Sequence, residues 1–367
     1  MRKIVHILYS GLGGHGAVLF TLLEHQFLDF AEHVVVFVGI EEPRAEYIKR
    51  CAELNISWVY VPRISTTSYF RFVFTLLKKL LALDPNMIFA HGLAATPSLV
   101  LLRFFFWKKR IIVMRETQAH HLKSFRDWIF LLIANLAFTR VVCLTKEAQI
   151  GAKAKLRFFH NEKKSVVIGN GLNTDYFCPD VKCAKNTSVK IGMQSRLQAN
   201  KDHRTLIKAF HLLCFTNVAS DVSLHIAGDG DTLPFLKNYV AELGLVDKVT
   251  FHGMLGQEEL RKFLGDLSIY VHCTHGETMS TAIMQSLSMK LPVIASDVWG
   301  VSNMIENGNG LLYQPGDAID LADKLNQLIA DENLAKKLGE RARQYALSNY
   351  SNSKLVKKYN EVFCLKI

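Results

Sequence analysis

The sequence predicts an α/β protein made of two doubly wound parallel-sheet domains of similar size. Three observations carry this. Short apolar runs alternate with stretches of helical apolar spacing through the first half, and the same pattern restarts in the second half. At 367 residues the chain is too long for one ordinary core. Hydrophobic residues make up 49% of it and charged residues 21%, a balance that excludes a disordered chain.

In the first half, Ile4–Tyr9, Val34–Val38, Trp58–Val61, Met87–Ala90, Ile111–Met114 and Val141–Leu144 read as strands. Each is a nearly continuous apolar run, as expected of strands covered on both faces. Ala17–Phe30 and Arg44–Leu54 carry helical apolar spacing between them. In the second half the strands are Val189–Met193, Leu224–Ala227, Val249–Phe251, Ile269–His272, Pro292–Ala295 and Gly310–Tyr313. The helices between them are Lys201–Leu213, Thr232–Leu243, Glu258–Leu264, Met279–Met289 and Ala318–Ala330. Asn170–Asn186, with an Asn-Gly pair, a proline and mixed polar residues, reads as the connector. The expected division is residues 1–168, with 351–367 returning to pack on them, and residues 169–350. Ligands of such sheets bind at the carboxyl ends of the strands, so two facing sheets would place a ligand in the cleft between them.

The net charge of +11 points to an anionic partner, nucleic acid, a phosphorylated substrate or an acidic membrane, or else serves solubility alone. The seven cysteines are scattered and never spaced as CxxC. Neither a disulfide framework nor a zinc site is expected, and a reducing interior suits them. The amino-terminal MRKIVHILYSG is short, strand-like and followed by glycines, which argues against a signal peptide. No apolar run is long enough to span a bilayer: Leu99–Trp107 is interrupted by Arg103, and Trp128–Phe138 is too short.

Three segments could carry chemistry. Gly11-Leu-Gly-Gly-His-Gly16 lies between a strand and a helix, where glycines let backbone amides approach an anion. Its GxGxxG spacing invites a dinucleotide reading, but no clear ribose-binding acid ends the second strand, and a tight turn would use the same glycines. Ser195-Arg-Leu-Gln-Ala-Asn-Lys201 follows the first strand of the second domain. Arg196 and Lys201 could converge on a diphosphate there, or be solvated surface cations. His275-Gly-Glu-Thr-Met-Ser-Thr-Ala-Ile-Met-Gln285 follows a strand and opens a helix. Glu277 sits at its turn, the amides of Thr278, Met279, Ser280 and Thr281 would face a ligand, and Gln285 lies two helical turns on. A plain helix cap by Glu277, with Gln285 exposed, would fit equally.

Taken in order, these pieces resemble the family 4 retaining glycosyltransferases, the glycosyl transferases group 1. Val167-Ile-Gly-Asn-Gly-Leu-Asn-Thr-Asp-Tyr-Phe-Cys-Pro179 resembles that family's linker, Ser195-Arg-Leu…Lys201 its GRL…K loop and Ile226-Ala-Gly-Asp-Gly230 its GxGDG turn. Val249-Thr-Phe-His-Gly253 resembles its VxFLG strand, and Asn307-Gly-Asn-Gly-Leu-Leu-Tyr313 with Pro315-Gly-Asp317 resembles its NGxLxxPxD ending. The resemblance implies the GT-B fold, two Rossmann-like domains facing across a cleft. It implies a metal-independent, configuration-retaining transfer from a nucleoside-diphosphate sugar, a UDP-sugar before others, with no cofactor beyond that co-substrate. By resemblance Arg196 and Lys201 stabilise the leaving diphosphate, Gly13 and Gly14 approach it from the other domain, and Glu277 contacts sugar hydroxyls. Gly253, Met254 and Leu255 hold the base through their backbone, and Thr278, Met279, Ser280 and Thr281 complete the donor site. Departures include Gln285 for the family's second motif glutamate, and Arg115 with Glu116 where a histidine near the reacting sugar is common. Glu116 or His91 could act near that sugar, and His91 could equally be a strand-end histidine satisfied by backbone.

The charge gathers in the first domain. Tyr69–Ala82 mixes aromatics, leucines and cations at helical spacing, and Leu101–Arg110 joins four aromatics to four cations. Arg103, Phe104, Phe105, Trp107, Lys108, Lys109 and Arg110 suit contact with an anionic bilayer, unless the aromatics are core and only the cations exposed. No nucleic-acid module is recognisable. The expectation is a peripheral enzyme at the inner, cytoplasmic face of the cytoplasmic membrane, acting on a lipid-linked glycan or polysaccharide acceptor. A non-catalytic glycosyltransferase-like binding protein, a GT-B nucleotide-sugar epimerase and a nicotinamide-dependent oxidoreductase are the alternatives.

Overall fold

The structure is a computed structural model and describes residues 2–11, 14–63, 69–105, 109–118, 123–179, 188–215, 221–305 and 308–364. It divides into two compact units, Met1–Gly171 with Asn352–Ile367, and Leu172–Ser351. The chain passes between them just after the Asn-Gly pair of the expected connector. Residues 180–186 of that connector, and Asn307 of the last family-like motif, lie outside the described residues.

The first unit alternates β1 (Arg2–Tyr9), α1 (Gly14–Glu24), β2 (Ala31–Gly39), α2 (Ala45–Glu53), β3 (Ser57–Pro62), α3 (Tyr69–Leu83), β4 (Met87–His91), α4 (Thr96–Phe105), β5 (Ile111–Glu116), α5 (Phe125–Ala137), β6 (Arg140–Cys143), α6 (Lys146–Leu156) and β7 (Ser165–Val167). Its seven strands are parallel in the order β3-β2-β1-β4-β5-β6-β7. One face packs α3, α4, α5 and α6 through residues such as Leu76, Leu99, Leu131 and Leu156. The expected helix Ala17–Phe30 stops at Glu24, because Gln26 and Leu28 take positive φ and turn the chain so that Phe27 and Leu28 are buried.

The second unit runs β8 (Val189–Gln194), α7 (His203–Cys214), β9 (Val222–Ala227), α8 (Leu233–Glu242), β10 (Val249–Gly253), α9 (Gln257–Asp266), β11 (Ile269–His272), α10 (Thr281–Ser288), β12 (Val293–Ser296), β13 (Leu311–Tyr313), α11 (Ala318–Ala330) and α12 (Glu332–Asn349). The parallel order is β10-β9-β8-β11-β12-β13. Helices α7, α8 and α11 cover one face, and α9, α10 and α12 the other. Helix starts are capped by side chains that accept from orphan amides: Asp202 for α7, Ser280 for α10, Asp317 for α11 and Asp331 for α12.

The chain then returns to the first unit as α13 (Asn352–Phe363), which packs against α1. Its Phe363 and Tyr359 meet Phe27 edge-on, with ring centroids 5.4 and 6.4 Å apart. Burying one such aromatic ring contributes roughly 1.5–3 kcal/mol, so this last helix is a fixed part of the sheet's cover.

In each sheet the strand order reverses once, between β1 and β4 and between β8 and β11. At such switch points adjacent loops diverge and leave a crevice at the strands' carboxyl ends.

Candidate functional site

The switch point of the second unit is where the sequence-read residues gather. Backbone bonds first tie its loops together. Ser195 N donates to Ala227 O at 3.0 Å, Leu197 N to Asp229 O at 2.9 Å and Gly228 N to Gly253 O at 2.7 Å. His275 N reaches Asn200 O at 2.9 Å, and Thr274 Oγ1 donates to the same carbonyl at 3.0 Å. The loops after β8, β9, β10 and β11 are therefore tied into one surface. Two glycines make this packing possible. A Cβ on Gly228, at φ +130°, would lie 1.8 Å from Ser195 O, and one on Gly300, at φ +81°, would lie 1.6 Å from Glu277 O.

Lys201 comes from the loop after β8 and Glu277 from the loop after β11, the two strands that flank the reversal. Lys201 Nζ donates to Glu277 Oε1 at 3.0 Å, with 11% and 19% of the two side chains exposed. His272, the buried last residue of β11, meets the same Oε1 through Nε2. It also lies 3.3 Å from Ser280 Oγ and 3.4 Å, through Nδ1, from the Tyr270 hydroxyl. Tyr270 OH in turn donates to Gln194 O at 3.2 Å. Burial alone would raise the carboxyl pKa of Glu277. The hydrogen bond from His272, then the charges of His272 and Lys201, outweigh it and hold the group at about 2. The residue is thus a fixed anion with one oxygen committed to protein donors. Nearby His203, bonded to Ser195 Oγ at 2.9 Å, is pushed down to about 4 by burial and by His272 and Lys201.

The other sequence-read residues of this unit fall as follows. Arg196 is exposed on the same loop as Lys201. Gly253 ends β10 at φ +67°, with Met254 exposed and Leu255 partly buried beyond it. Thr278, Met279 and Thr281 are at least partly exposed in the turn that opens α10. Ser280 is buried there as the cap, accepting from Ile283 N at 3.3 Å. The positive end of α10 therefore faces the loop that carries Glu277. Gln285 is not exposed as a plain surface residue: its Oε1 accepts from Gln194 Nε2 at 2.5 Å, so its amide hydrogens are what remain for a ligand.

In the first unit, Gly14 opens α1 after β1, and Gly13 lies outside the described residues. His91 ends β4, buried, with its ring centroid 4.2 Å from that of Phe89. Arg115 is buried and bonded to Asn170, a structural tie. Glu116 ends β5, buried beside Lys123. Its Oε1 accepts from Gln118 N at 2.6 Å and lies 3.6 Å from Lys123 Nζ. Burial wins there and raises its pKa, against the opposing pull of Lys123.

Of the bilayer-facing residues, Arg103, Phe104, Phe105 and Lys109 are exposed. Trp107 and Lys108 lie outside the described residues. Arg110 departs from the expectation. It is buried and donates to Asp84 Oδ1 at 3.1 Å, because it leads directly into β5 and a cation there needs a counter-charge. Sequence reasoning also missed His272 and Lys123. The signal for His272 was present, since a histidine in the otherwise apolar buried run Ile269–Val271 must find a partner. Nothing in the sequence marks Lys123.

Among the described residues no helix is long and apolar enough to cross a membrane, and no cluster of side chains is arranged to hold a metal ion.

Two parallel-sheet Rossmann-like units in this order form the GT-B fold. The structure of Anabaena HepE in complex with UDP superposes with a TM-score of 0.81 over 98% of this chain and 99% of that one, at 17% identity. In sequence, residues 180–345 match the family model of glycosyl transferases group 1. The chain is similar to the N-acetyl-alpha-D-glucosaminyl L-malate synthase of Bacillus anthracis, 27% identical over 39% of this chain and 37% of that protein. It is also similar to the alpha-D-kanosaminyltransferase of Streptomyces kanamyceticus, 30% identical over 43% of this chain and 41% of that one. The matches thus span less than half the length of these two curated relatives.

Proposed function

We propose that this protein is a group 1 glycosyltransferase that moves a sugar from a nucleoside-diphosphate sugar to a glycan acceptor. One observation carries the reading: Lys201 and Glu277 meet at the switch point of the unit that the family model matches, held there by His272. A donor diphosphate would draw on the Lys201 ammonium, the Arg196 guanidinium and the amino end of α10. The second oxygen of Glu277, a fixed anion, would accept from sugar hydroxyls. We take the donor to be a UDP-sugar, in keeping with the UDP held by HepE, and the transfer to be metal-independent and configuration-retaining.

The acceptor we propose is a lipid-linked glycan or polysaccharide at the cytoplasmic membrane face. The support is the outer surface of the first unit. Phe70 and Phe74 stand exposed on α3 beside Arg71, Lys78 and Lys79, while Phe72, Val73, Leu76 and Leu77 of the same helix are core. Phe104 and Phe105 stand exposed on α4 beside Arg103. Exposed aromatics alternating with cations suit an anionic bilayer interface.

A second reading is a nucleotide-sugar-binding protein without turnover, favoured by the engagement of Gln285 with Gln194. A donor screen separates the two. Purified protein is incubated with UDP-, GDP- and dTDP-sugars, with and without a membrane-lipid extract, and nucleoside-diphosphate release is read. Release from one donor that rises with extract and falls in Glu277→Ala is the expected result. Tight donor binding with no release in any condition would overturn the transferase reading.

A further inference from the structure

We propose that His272 is a positioning residue for the donor, fixing the Glu277 carboxylate and, through it, the Lys201 ammonium. The inference rests on the donor-binding reading of this site and adds a residue to it. Its basis is a continuous polar chain across the switch point. The chain starts at the backbone of Gln194 in β8, passes through the Tyr270 hydroxyl and both nitrogens of His272, and ends on Glu277 Oε1, where Lys201 also bonds. Tyr270 and His272 are buried, so no water competes for these positions.

The proton placement follows from the partners. Nε2 faces a carboxylate that can only accept, so Nε2 carries a hydrogen. Nδ1 is then an acceptor facing the Tyr270 hydroxyl, whose one hydrogen is shared between Nδ1 and Gln194 O while its oxygen accepts from Gln194 N. The imidazole is thereby oriented from behind, and its N–H is aimed at one carboxylate oxygen. Removing the imidazole would leave Glu277 tethered by Lys201 alone, a flexible side chain whose own placement depends on Glu277. Both would then spread over several rotamers, and a donor would have to order them on binding. Nothing in this role places His272 against the donor itself: its shell is Tyr270, Glu277 and Ser280.

The test compares His272→Leu, which removes the donor hydrogen, with His272→Gln, whose side-chain amide can return an N–H near the Nε2 position. The probes are UDP-, GDP- and dTDP-glucose, with the matching free nucleoside diphosphates, titrated by calorimetry into the 367-residue chain. Thermal melting confirms that each variant is folded. A lost hydrogen bond to a charged group predicts that His272→Leu weakens binding of the preferred sugar nucleotide by roughly 10- to 100-fold. His272→Gln should recover most of that loss, a rescue that mere core filling by leucine would not mimic. A folded His272→Leu protein that binds the sugar nucleotide as tightly as wild type overturns the proposal, as does a glutamine variant no better than leucine. A wild type that binds none of the sugar nucleotides overturns the donor reading itself, and this proposal with it.

Discussion

Each unit holds a carboxylate paired with a lysine at the carboxyl end of a parallel strand, and the pKa values of the two shift in opposite directions. Glu116 in the first unit is 6% exposed beside a Lys123 side chain that is fully buried, with 3.6 Å between the charges. Glu277 in the second unit is 19% exposed, with Lys201 at 3.0 Å and His272 on the same oxygen. Burial raises the pKa of Glu116, and the Lys123 ammonium with the backbone amides of Gln118 and Thr117 does not offset it. Burial pulls the same way on Glu277, yet two close donors carry it down to about 2. The lesson is that desolvation and pairing compete at both carboxylates, and that the depth of burial against the strength of the side-chain donors decides the outcome. A fixed anion suits hydroxyl recognition at Glu277. A carboxyl inclined toward its neutral form at Glu116 suits proton exchange with a ligand group, or a purely structural pairing.

Breaking the buried pair should have the largest effect on stability. Lys123→Met leaves the buried Glu116 carboxylate without its counter-charge and should destabilise the protein at neutral pH by about 3–5 kcal/mol. Glu116→Gln combined with Lys123→Met should return stability to within about 1 kcal/mol of wild type, or above it. Urea titration reads both. The pH slopes give the sign. Glu116 has a raised folded pKa, so its stabilising contribution is full below the ordinary carboxylate value of 4.5 and is lost as pH rises through the folded pKa. Glu277 is depressed from 4.5 to about 2, so its contribution is full above 4.5 and is lost as pH falls toward about 2. Stability that responds to pH in the same direction at both residues, measured with the matching glutamine variants, would break the comparison.

Lys201→Ala sharpens it from the side of function. If the second unit's pair serves the donor, this change should lower nucleoside-diphosphate release by roughly 10²–10³-fold, the size typical of losing a charge-stabilising group. Melting temperature should move little, because Glu277 keeps its bond from His272. Release that stays within a few-fold of wild type would mean that Lys201 serves only to pair Glu277.

How much of this was legible in the sequence follows from the same competition between local pattern and tertiary context. The long central strands were legible because burial on both faces forces continuous apolar runs such as Val34–Val38 and Ile111–Met114. β7 was not, being three residues among polar neighbours. α12 was not, because besides Leu338 it buries only small residues, Gly339, Ala342 and Ala346, which carry little hydrophobic signal. Lys201 and Glu277 were legible as charges at strand-to-helix turns. Their direct pairing was not, since it depends on β8 and β11 being neighbours although three elements of helix and two strands separate them in the chain. Arg110 misled because a cation at the end of an aromatic run reads as surface. Its partner Asp84 lies 26 residues away, on the loop before β4.

The smallest expected effect concerns a different contrast between the units. Among the described residues, exposed phenylalanines in the first unit include Phe70, Phe74, Phe104, Phe105, Phe125, Phe158 and Phe159, whereas those of the second are Phe215 and Phe235. A ring left in water at 66% or 69% exposure, as Phe104 and Phe105 are, gains free energy when a bilayer interface covers it. Arg103 and Lys109 flank the pair and would each contribute roughly 1 kcal/mol near an anionic surface. Phe104→Ser with Phe105→Ser should therefore reduce sedimentation with phosphatidylglycerol vesicles by about tenfold or more. Arg103→Gln with Lys109→Gln should weaken it by a similar or smaller factor and flatten its dependence on salt. Arg110→Gln should leave vesicle binding unchanged while lowering thermal stability, since its guanidinium serves Asp84 and not the surface. Equal binding of the phenylalanine variant and wild type, to anionic and to phosphatidylcholine vesicles alike, would remove this face from the membrane reading and leave the first unit's aromatic excess to another partner.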